Sequence, residues 1–207
     1  MIRVKICGIT SCEDAWAAVE AGADALGFIF VKGTPRYIEP EAAAAIAAQM
    51  PPFVATVGVF IDRTPEEIDR IMSATGISLA QLHGNESPAE CQRLRVPFVK
   101  AIRVQGEYDL EALRTYPQAR AFLLDTYAAD RPGGTGRTFP WEIAVKAVRQ
   151  ARVILSGGLT PDNVALAVAQ VRPYAVDVCS GVEAHPGRKD HRRVREFIEQ
   201  ARKADAR

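Results

Sequence analysis

Two residues in this chain stand where proton-transfer chemistry needs them. Cys7 closes the short run Val4-Lys5-Ile6-Cys7 and is followed by Gly8. Extended side chains alternate between faces, so Lys5 and Cys7 share one face, and Val4 and Ile6 the other. A cation beside a thiol favours the thiolate, which makes Cys7 a candidate general base; a small buried hydrophobe is the plainer reading. Asp125 follows four apolar residues, Ala121 to Leu124. A carboxylate there is costly unless paired or used. Partly desolvated, it is suited to hold a proton and act as a general acid, and the alternative is a cap on the next loop. Asp177 shares a face with Cys179, and a pairing with Lys5 is its expected role.

Other groups read as binding elements. Ser156-Gly157-Gly158-Leu159-Thr160-Pro161 is a strand end, a glycine turn and a helix start, and Ser180-Gly181-Val182 repeats the logic. Such turns let backbone N–H groups approach an anion, so Gly157, Gly158, Ser180 and Gly181 are candidate phosphate ligands; tight turns alone would also explain them. Gly133-Gly134-Thr135-Gly136-Arg137 reads as a loop that closes over ligand, with Gly134 touching it. No GK[ST] follows, so it is not a Walker A loop. Arg36 could hold a carboxylate two-pronged or stand solvated in its loop. His83 could orient substrate or satisfy nearby backbone groups.

These residues must be positioned by strands. Apolar, β-branched runs occur at Val4–Cys7, Ala25–Phe30, Val54–Phe60, Ser78–Leu82, Phe98–Arg103, Ala121–Asp125, Arg152–Ser156 and Ala175–Cys179. Helical stretches alternate with them near 12–21, 40–49, 65–74, 87–94, 108–115, 140–150, 161–170 and 189–203. Thr64-Pro65-Glu66-Glu67 and Thr160-Pro161-Asp162 read as N-caps with proline in the first turn. Eight strand–helix units in order predict an α/β fold: a single (β/α)8 TIM barrel over residues 1–207, with an open doubly wound sheet as the rival. In such a barrel active sites gather at the C-terminal ends of strands, where the polar residues above fall. The polar tail after Gln200 is expected to fray.

Composition narrows the function classes. The 207 residues are 48% hydrophobic and 25% charged, with a net charge of +1. That excludes a disordered chain and gives no field for nucleic acid or an anionic membrane. No run of about 18 apolar residues occurs, so no membrane partner is expected. The start, Met1 to Cys7, alternates charge with apolar residues and lacks the apolar core of a signal peptide, which predicts a cytoplasmic protein. Cys7, Cys12, Cys91 and Cys179 form no CxxC pair, and there are three histidines. All four cysteines are read as reduced thiols, with Cys12 and Cys91 structural, and no metal is expected.

Taken together, the motifs resemble those of the phosphoribosylanthranilate isomerases. Lys5-Ile6-Cys7-Gly8-Ile9-Thr10 is similar to that family's opening signature. In order follow Gly22-Ala23-Asp24-Ala25-Leu26-Gly27-Phe28, Gln81-Leu82-His83-Gly84, Leu123-Leu124-Asp125, Gly133-Gly134-Thr135-Gly136, Leu155-Ser156-Gly157-Gly158-Leu159 and Ser180-Gly181-Val182-Glu183. The resemblance runs from residue 1 to about residue 200. It implies a cofactor-free Amadori rearrangement in tryptophan biosynthesis, by metal-free acid–base catalysis on a small phosphorylated substrate. Asp125 would open the ribose ring as general acid, and Cys7 would take the C2 proton. Arg36 would bind the anthranilate carboxylate, and the Gly157-Gly158 and Ser180-Gly181 turns the phosphate. Single-domain relatives imply a monomer. Two positions depart from the family: Pro140, where relatives commonly have Asp, and Cys179, where they usually have Ser or Asn. The related imidazole-pathway aminoaldose isomerases look different, with aspartates at the ends of strands one and six; Cys7 favours the anthranilate substrate. A non-catalytic phosphometabolite-binding barrel would keep the glycine turns without needing Cys7 and Asp125 together.

Overall fold

A computed structural model describes residues 1–105, 110–126 and 140–205. Eight parallel strands close into a barrel in sequence order. They are β1 (Arg3–Cys7), β2 (Ala25–Ile29), β3 (Ala55–Phe60), β4 (Leu79–Leu82), β5 (Phe98–Val104), β6 (Phe122–Thr126), β7 (Val153–Leu155) and β8 (Ala175–Val178). The closing seam pairs β1 with β8, Lys5 opposite Asp177 and Ile6 opposite Val178. The (β/α)8 barrel expected from the alternation is therefore the fold, and the open sheet is not.

The helices between strands are α1 (Cys12–Glu20), α2 (Pro40–Ala47), α3 (Pro65–Thr75), α4 (Pro88–Arg93), α5 (Ala112–Thr115), α6 (Trp141–Ala147), α7 (Val164–Val171) and α8 (His191–Asp205). Thr64 caps α3 as expected: its hydroxyl accepts from Glu67 N–H, and the Glu67 carboxylate accepts from Thr64 N–H. Such caps stabilise a helix by roughly 0.5–2 kcal/mol. Outward-facing Val4, Ile6, Leu26, Phe28, Leu82, Leu124 and Leu155 form the core between barrel and helices. Inside the barrel a smaller cluster of Val99, Ala101, Ala121 and Leu123 fills the lower half. The alternation read from the sequence holds, with odd positions of β1, β5 and β6 turned inward.

Three local expectations fail for physical reasons. Thr160-Pro161-Asp162 does not start α7. Asn163 folds back there, accepting from Thr160 N–H at 2.8 Å and donating to the Gly158 carbonyl at 3.0 Å, so the helix begins at Val164. After β8 the chain makes one 3-10 turn, Ser180–Val182, and an antiparallel hairpin of β9 (Glu183–His185) and β10 (Arg188–Lys189). That hairpin delays α8 from the expected residue 189 to His191. The tail does not fray at Gln200. Ala201 is buried, and Asp205, still helical, accepts from Ile2 N–H at 2.7 Å. Pro140 stands just before α6 and gives it no side-chain cap.

Candidate active site

At the C-terminal mouth of the barrel one cavity gathers inward positions from nearly every strand. Cys7 comes from β1, Ile29 and Val31 from the end of β2, and Val59 and Ile61 from the end of β3. Gln81 comes from β4 and His83 from just beyond it, Arg103 from β5, Asp125 from β6, Ser156 from just beyond β7, and Asp177 and Cys179 from β8 and its end. Cys7 and Asp125 thus open into the same cavity from different sides of the barrel.

Cys7 is 5% exposed. Its pKa is lowered to about 6. The largest cause is the neighbouring Cys179 thiol; burial opposes it, and the Lys5 ammonium adds to it. The Lys5 neighbour read from the sequence therefore contributes, but Cys179 contributes more. Cys179 itself is pushed well above the ordinary thiol value, so the shared proton stays on it. Below the pair, Lys5 Nζ meets Asp177 Oδ1 at 2.7 Å, and the Ser156 hydroxyl donates to Asp177 Oδ2 at 3.1 Å. Burial disfavours the Lys5 charge, yet the Asp177 carboxylate and Cys7 together outweigh it and raise the Lys5 pKa. The expected Lys5–Asp177 pair is present. The other two cysteines lie on α1 and α4, outside this cavity; burial pushes the Cys91 thiol up to about 11.

Asp125 is held from both oxygens. Thr126 N–H donates to Oδ1 at 2.8 Å, and His83 Nε2 lies 3.1 Å from Oδ2. His83 Nδ1 lies 2.9 Å from the Gln81 amide nitrogen, which has only protons to offer. Nδ1 must then accept, which leaves the proton on Nε2, facing Asp125. The His83 ring thus braces Asp125, a contact that neither reading of His83 from the sequence includes. Arg103 Nη2 donates to the His83 carbonyl at 3.3 Å.

The phosphate candidates sit together. Gly157 and Gly158 take φ of +82° and +69°, the left-handed region that favours glycine. A side chain at Gly157 would run into Thr126 and Asp125. Among the described residues, the N–H groups of Gly157, Gly158, Ser180 and Gly181 have no backbone partner. Asn163 braces the first turn through Gly158, and Arg193 braces the second with two donations to the Gly181 carbonyl, at 2.9 and 3.1 Å.

Arg36 is not a solvated loop residue. Its Nε and Nη2 donate to the two oxygens of Glu183, at 2.8 and 2.7 Å, and it still lines the cavity. Glu183 also takes Lys189 Nζ at 3.0 Å. Burial alone would lift the Glu183 carboxyl; Arg36 and Lys189 more than offset this and leave its pKa below the ordinary value. Gly134 and its loop lie outside the described residues. Gln81, Arg103 and Lys189 were not singled out from the sequence. Gln81 sits two residues before His83, and Arg103 two residues after the inward Ala101, a signal that strand parity alone supplies. Among the described residues, no group of three or more His, Cys, Asp or Glu could hold a metal ion. No described helix is long and apolar enough to cross a membrane.

The arrangement offers one thiolate, one braced carboxyl, an apolar wall beside a cation, and a glycine-lined anion cradle. The family model for N-(5'-phosphoribosyl)anthranilate (PRA) isomerase matches residues 4–200. The N-(5'-phosphoribosyl)anthranilate isomerase of Geobacter sp. (strain M21) is 55% identical over 203 residues, covering 98% of this chain and 99% of that one. Monomers of the dimeric Thermotoga maritima enzyme superpose with a TM-score of 0.88 at 43% identity, over 98% of this chain and all of that one. A solved complex of such an enzyme with reduced 1-(o-carboxyphenylamino)-1-deoxyribulose 5-phosphate gives 0.88 at 44% identity, with the same coverage. The chain belongs to the N-(5'-phosphoribosyl)anthranilate isomerase family.

Proposed function

We propose that Asp125 and Cys7 carry the two proton transfers by which this enzyme turns N-(5'-phosphoribosyl)anthranilate into 1-(2-carboxyphenylamino)-1-deoxyribulose 5-phosphate. The reaction is an aldose-to-ketose isomerisation in tryptophan biosynthesis. Asp125 gives a proton to the ribose ring oxygen as the C1–O bond breaks, and the nitrogen lone pair forms the C1=N bond of a Schiff base. The Cys7 thiolate then takes the C2 proton, and the electron pair flows through C1 to nitrogen, leaving an enolamine. Tautomerisation returns a proton to C1 and gives the C2 ketone. No net oxidation occurs, and one acid and one base suffice.

The observation that carries this reading is the pairing of a thiolate-favouring Cys7 with a His83-braced Asp125 in one cavity. Ile29, Val31, Val59 and Ile61 form an apolar wall suited to an aryl ring, with Arg36 beside it for the carboxylate. The turns at Gly157-Gly158 and Ser180-Gly181 suit the phosphate. A monomer is the proposed state of this single-domain enzyme; a dimer in sedimentation at micromolar concentration would overturn that. Four free cysteines suit the reducing cytoplasm as its location.

The test is a fluorescence assay of purified protein, with substrate generated in situ and EDTA present. Turnover that survives EDTA and drops by several orders of magnitude in Cys7→Ser supports the assignment. Undiminished turnover in Cys7→Ser removes Cys7 as the base, and turnover abolished by EDTA alone overturns the metal-free mechanism.

A further inference from the structure

We propose that Glu183 is a positioning residue: it aims Arg36 at the substrate carboxylate and so sets the preference for an aryl amine that carries one. The proposal rests on the reading of Arg36 as the carboxylate holder. The geometry is that of a fork on one edge of a guanidinium. Glu183 occupies Nε and Nη2, at 2.8 and 2.7 Å. A guanidinium has five N–H donors in fixed directions. With one edge taken, the outer Nη1–Nη2 edge keeps two parallel N–H groups, the pattern that a second carboxylate accepts two-pronged.

Glu183 can aim Arg36 because it is itself held. Its side chain is 4% exposed, against 18% for Arg36. Lys189 Nζ reaches Oε1 at 3.0 Å from β10, with no side-chain exposure of its own. Gly187 N–H donates to the same oxygen at 3.4 Å. The hairpin after β8 is therefore a clamp whose product is a fixed guanidinium on the loop after β2. Two cations against one anion leave the cluster with a charge of one positive, which suits an incoming carboxylate. An untethered arginine would have to lose its side-chain freedom on binding, and the clamp removes that cost beforehand.

A role in neutralising charge alone makes the opposite prediction, because removing Glu183 would then tighten anion binding. The test compares two ligands, the reduced carboxyphenylamino product analogue and its phenylamino counterpart without the carboxylate. Binding is titrated in the wild type, Arg36→Ala, Glu183→Gln, Glu183→Asp and the Arg36→Ala/Glu183→Gln double variant. Wild type should prefer the carboxylated ligand by on the order of 10- to 100-fold, the range of a charged hydrogen-bonded pair. Glu183→Gln should narrow that preference about tenfold and raise KM alike, with a much smaller change in kcat; in the Arg36→Ala background it should add nothing. Glu183→Asp keeps the charge for Lys189 but is one methylene too short for the fork. It should narrow the preference too, and it serves if the Gln variant does not fold. Full preference in the folded Glu183 variants, or a widened one, overturns the proposal while Arg36→Ala still abolishes preference. Full preference in Arg36→Ala overturns the underlying reading of Arg36 instead.

Discussion

The Cys179 thiol stands beside the Cys7 sulfur across the seam where β8 meets β1, and its own Sγ donates to Glu183 Oε1 at 3.9 Å. The two residues follow the Ile6–Val178 pair by one step, so barrel closure alone brings them together. Two chemically identical groups are thereby driven apart. Cys7 is favoured as thiolate, and Cys179 keeps its proton. The Lys5 cation lies beneath Cys7 and reinforces the same choice.

A pH profile should report this pairing. Cys7 acts as base only when deprotonated, so on the acidic limb kcat/KM should fall about tenfold per pH unit below its pKa of about 6. Cys179→Ala removes that thiol, and the acidic limb should move up toward the ordinary thiol value of about 8.5. Activity at pH 6 then falls, while activity at pH 9 changes little. Cys179→Ser keeps a hydroxyl there and should hold the limb near its wild-type position. The limb is read from initial rates, and independently from the pH dependence of Cys7 alkylation. An unmoved limb in Cys179→Ala would show that Lys5 alone sets the thiolate.

His83 should matter for rate more than for binding. It holds one oxygen of Asp125 through Nε2, at 3.1 Å, and leaves the other to Thr126 N–H. In His83→Ala the carboxyl keeps one tether and can rotate away from the ring oxygen. A fall in kcat on the order of 10- to 100-fold is expected, below the full worth of a general acid, with KM changed by less. Gln81→Leu should show a weaker version, because it frees the imidazole tautomer rather than the carboxyl. Equal losses in KM and none in kcat would make His83 a substrate ligand instead.

Much of this was legible in the sequence, and the reason is periodicity. Strand alternation placed Lys5, Cys7, Asp125 and Asp177 inside, and eight strand–helix units implied the closure that makes β1 and β8 neighbours. Those two facts together yield the Lys5–Asp177 pair at a separation of 172 residues. Glu183 was visible only as the end of a motif. Its partner Arg36 lies 147 residues away on a loop, and no periodicity links a loop to a hairpin. The hairpin itself has a signal in the turn dipeptide Pro186-Gly187. Pro161 misled in the opposite direction, because the side chain of Asn163 makes a turn there before the helix can start.

The Lys5–Asp177 pair should be needed for stability as well as chemistry. Both side chains are 6% exposed. Lys5→Met leaves a buried carboxylate with only the Ser156 hydroxyl at 3.1 Å, and breaking a buried pair costs about 3–5 kcal/mol. Chemical denaturation should show that loss. The Lys5→Met/Asp177→Leu double variant should recover much of it, since apolar replacement of both partners leaves no orphan charge. Neither variant should restore the Cys7 thiolate, because the cation that assists it is gone. A single variant as stable as wild type would mean that Asp177 takes up a proton or reaches solvent.

Gly27 should prove as sensitive as any catalytic residue, although it has no group to offer. It stands opposite Cys7 in the β1–β2 register. A methyl group there would lie 2.7 Å from Cys7 Sγ and 3.1 Å from both Lys5 Nζ and the Cys7 Cα. The thiol can yield only by rotating, and the Cα only by moving the strand. Gly27→Ala should therefore cost stability by about 1–3 kcal/mol, the usual penalty of overpacking. It should also lower kcat at least tenfold, since a misplacement near 1 Å at a reacting group is enough for that. Product affinity should change less, because the phosphate turns follow β7 and β8, and Arg36 lies on the loop beyond the end of β2. Rate and denaturation measured on the same preparation separate the two effects. Wild-type kcat in a folded Gly27→Ala protein would show that the Cys7 sulfur has room that this packing denies it.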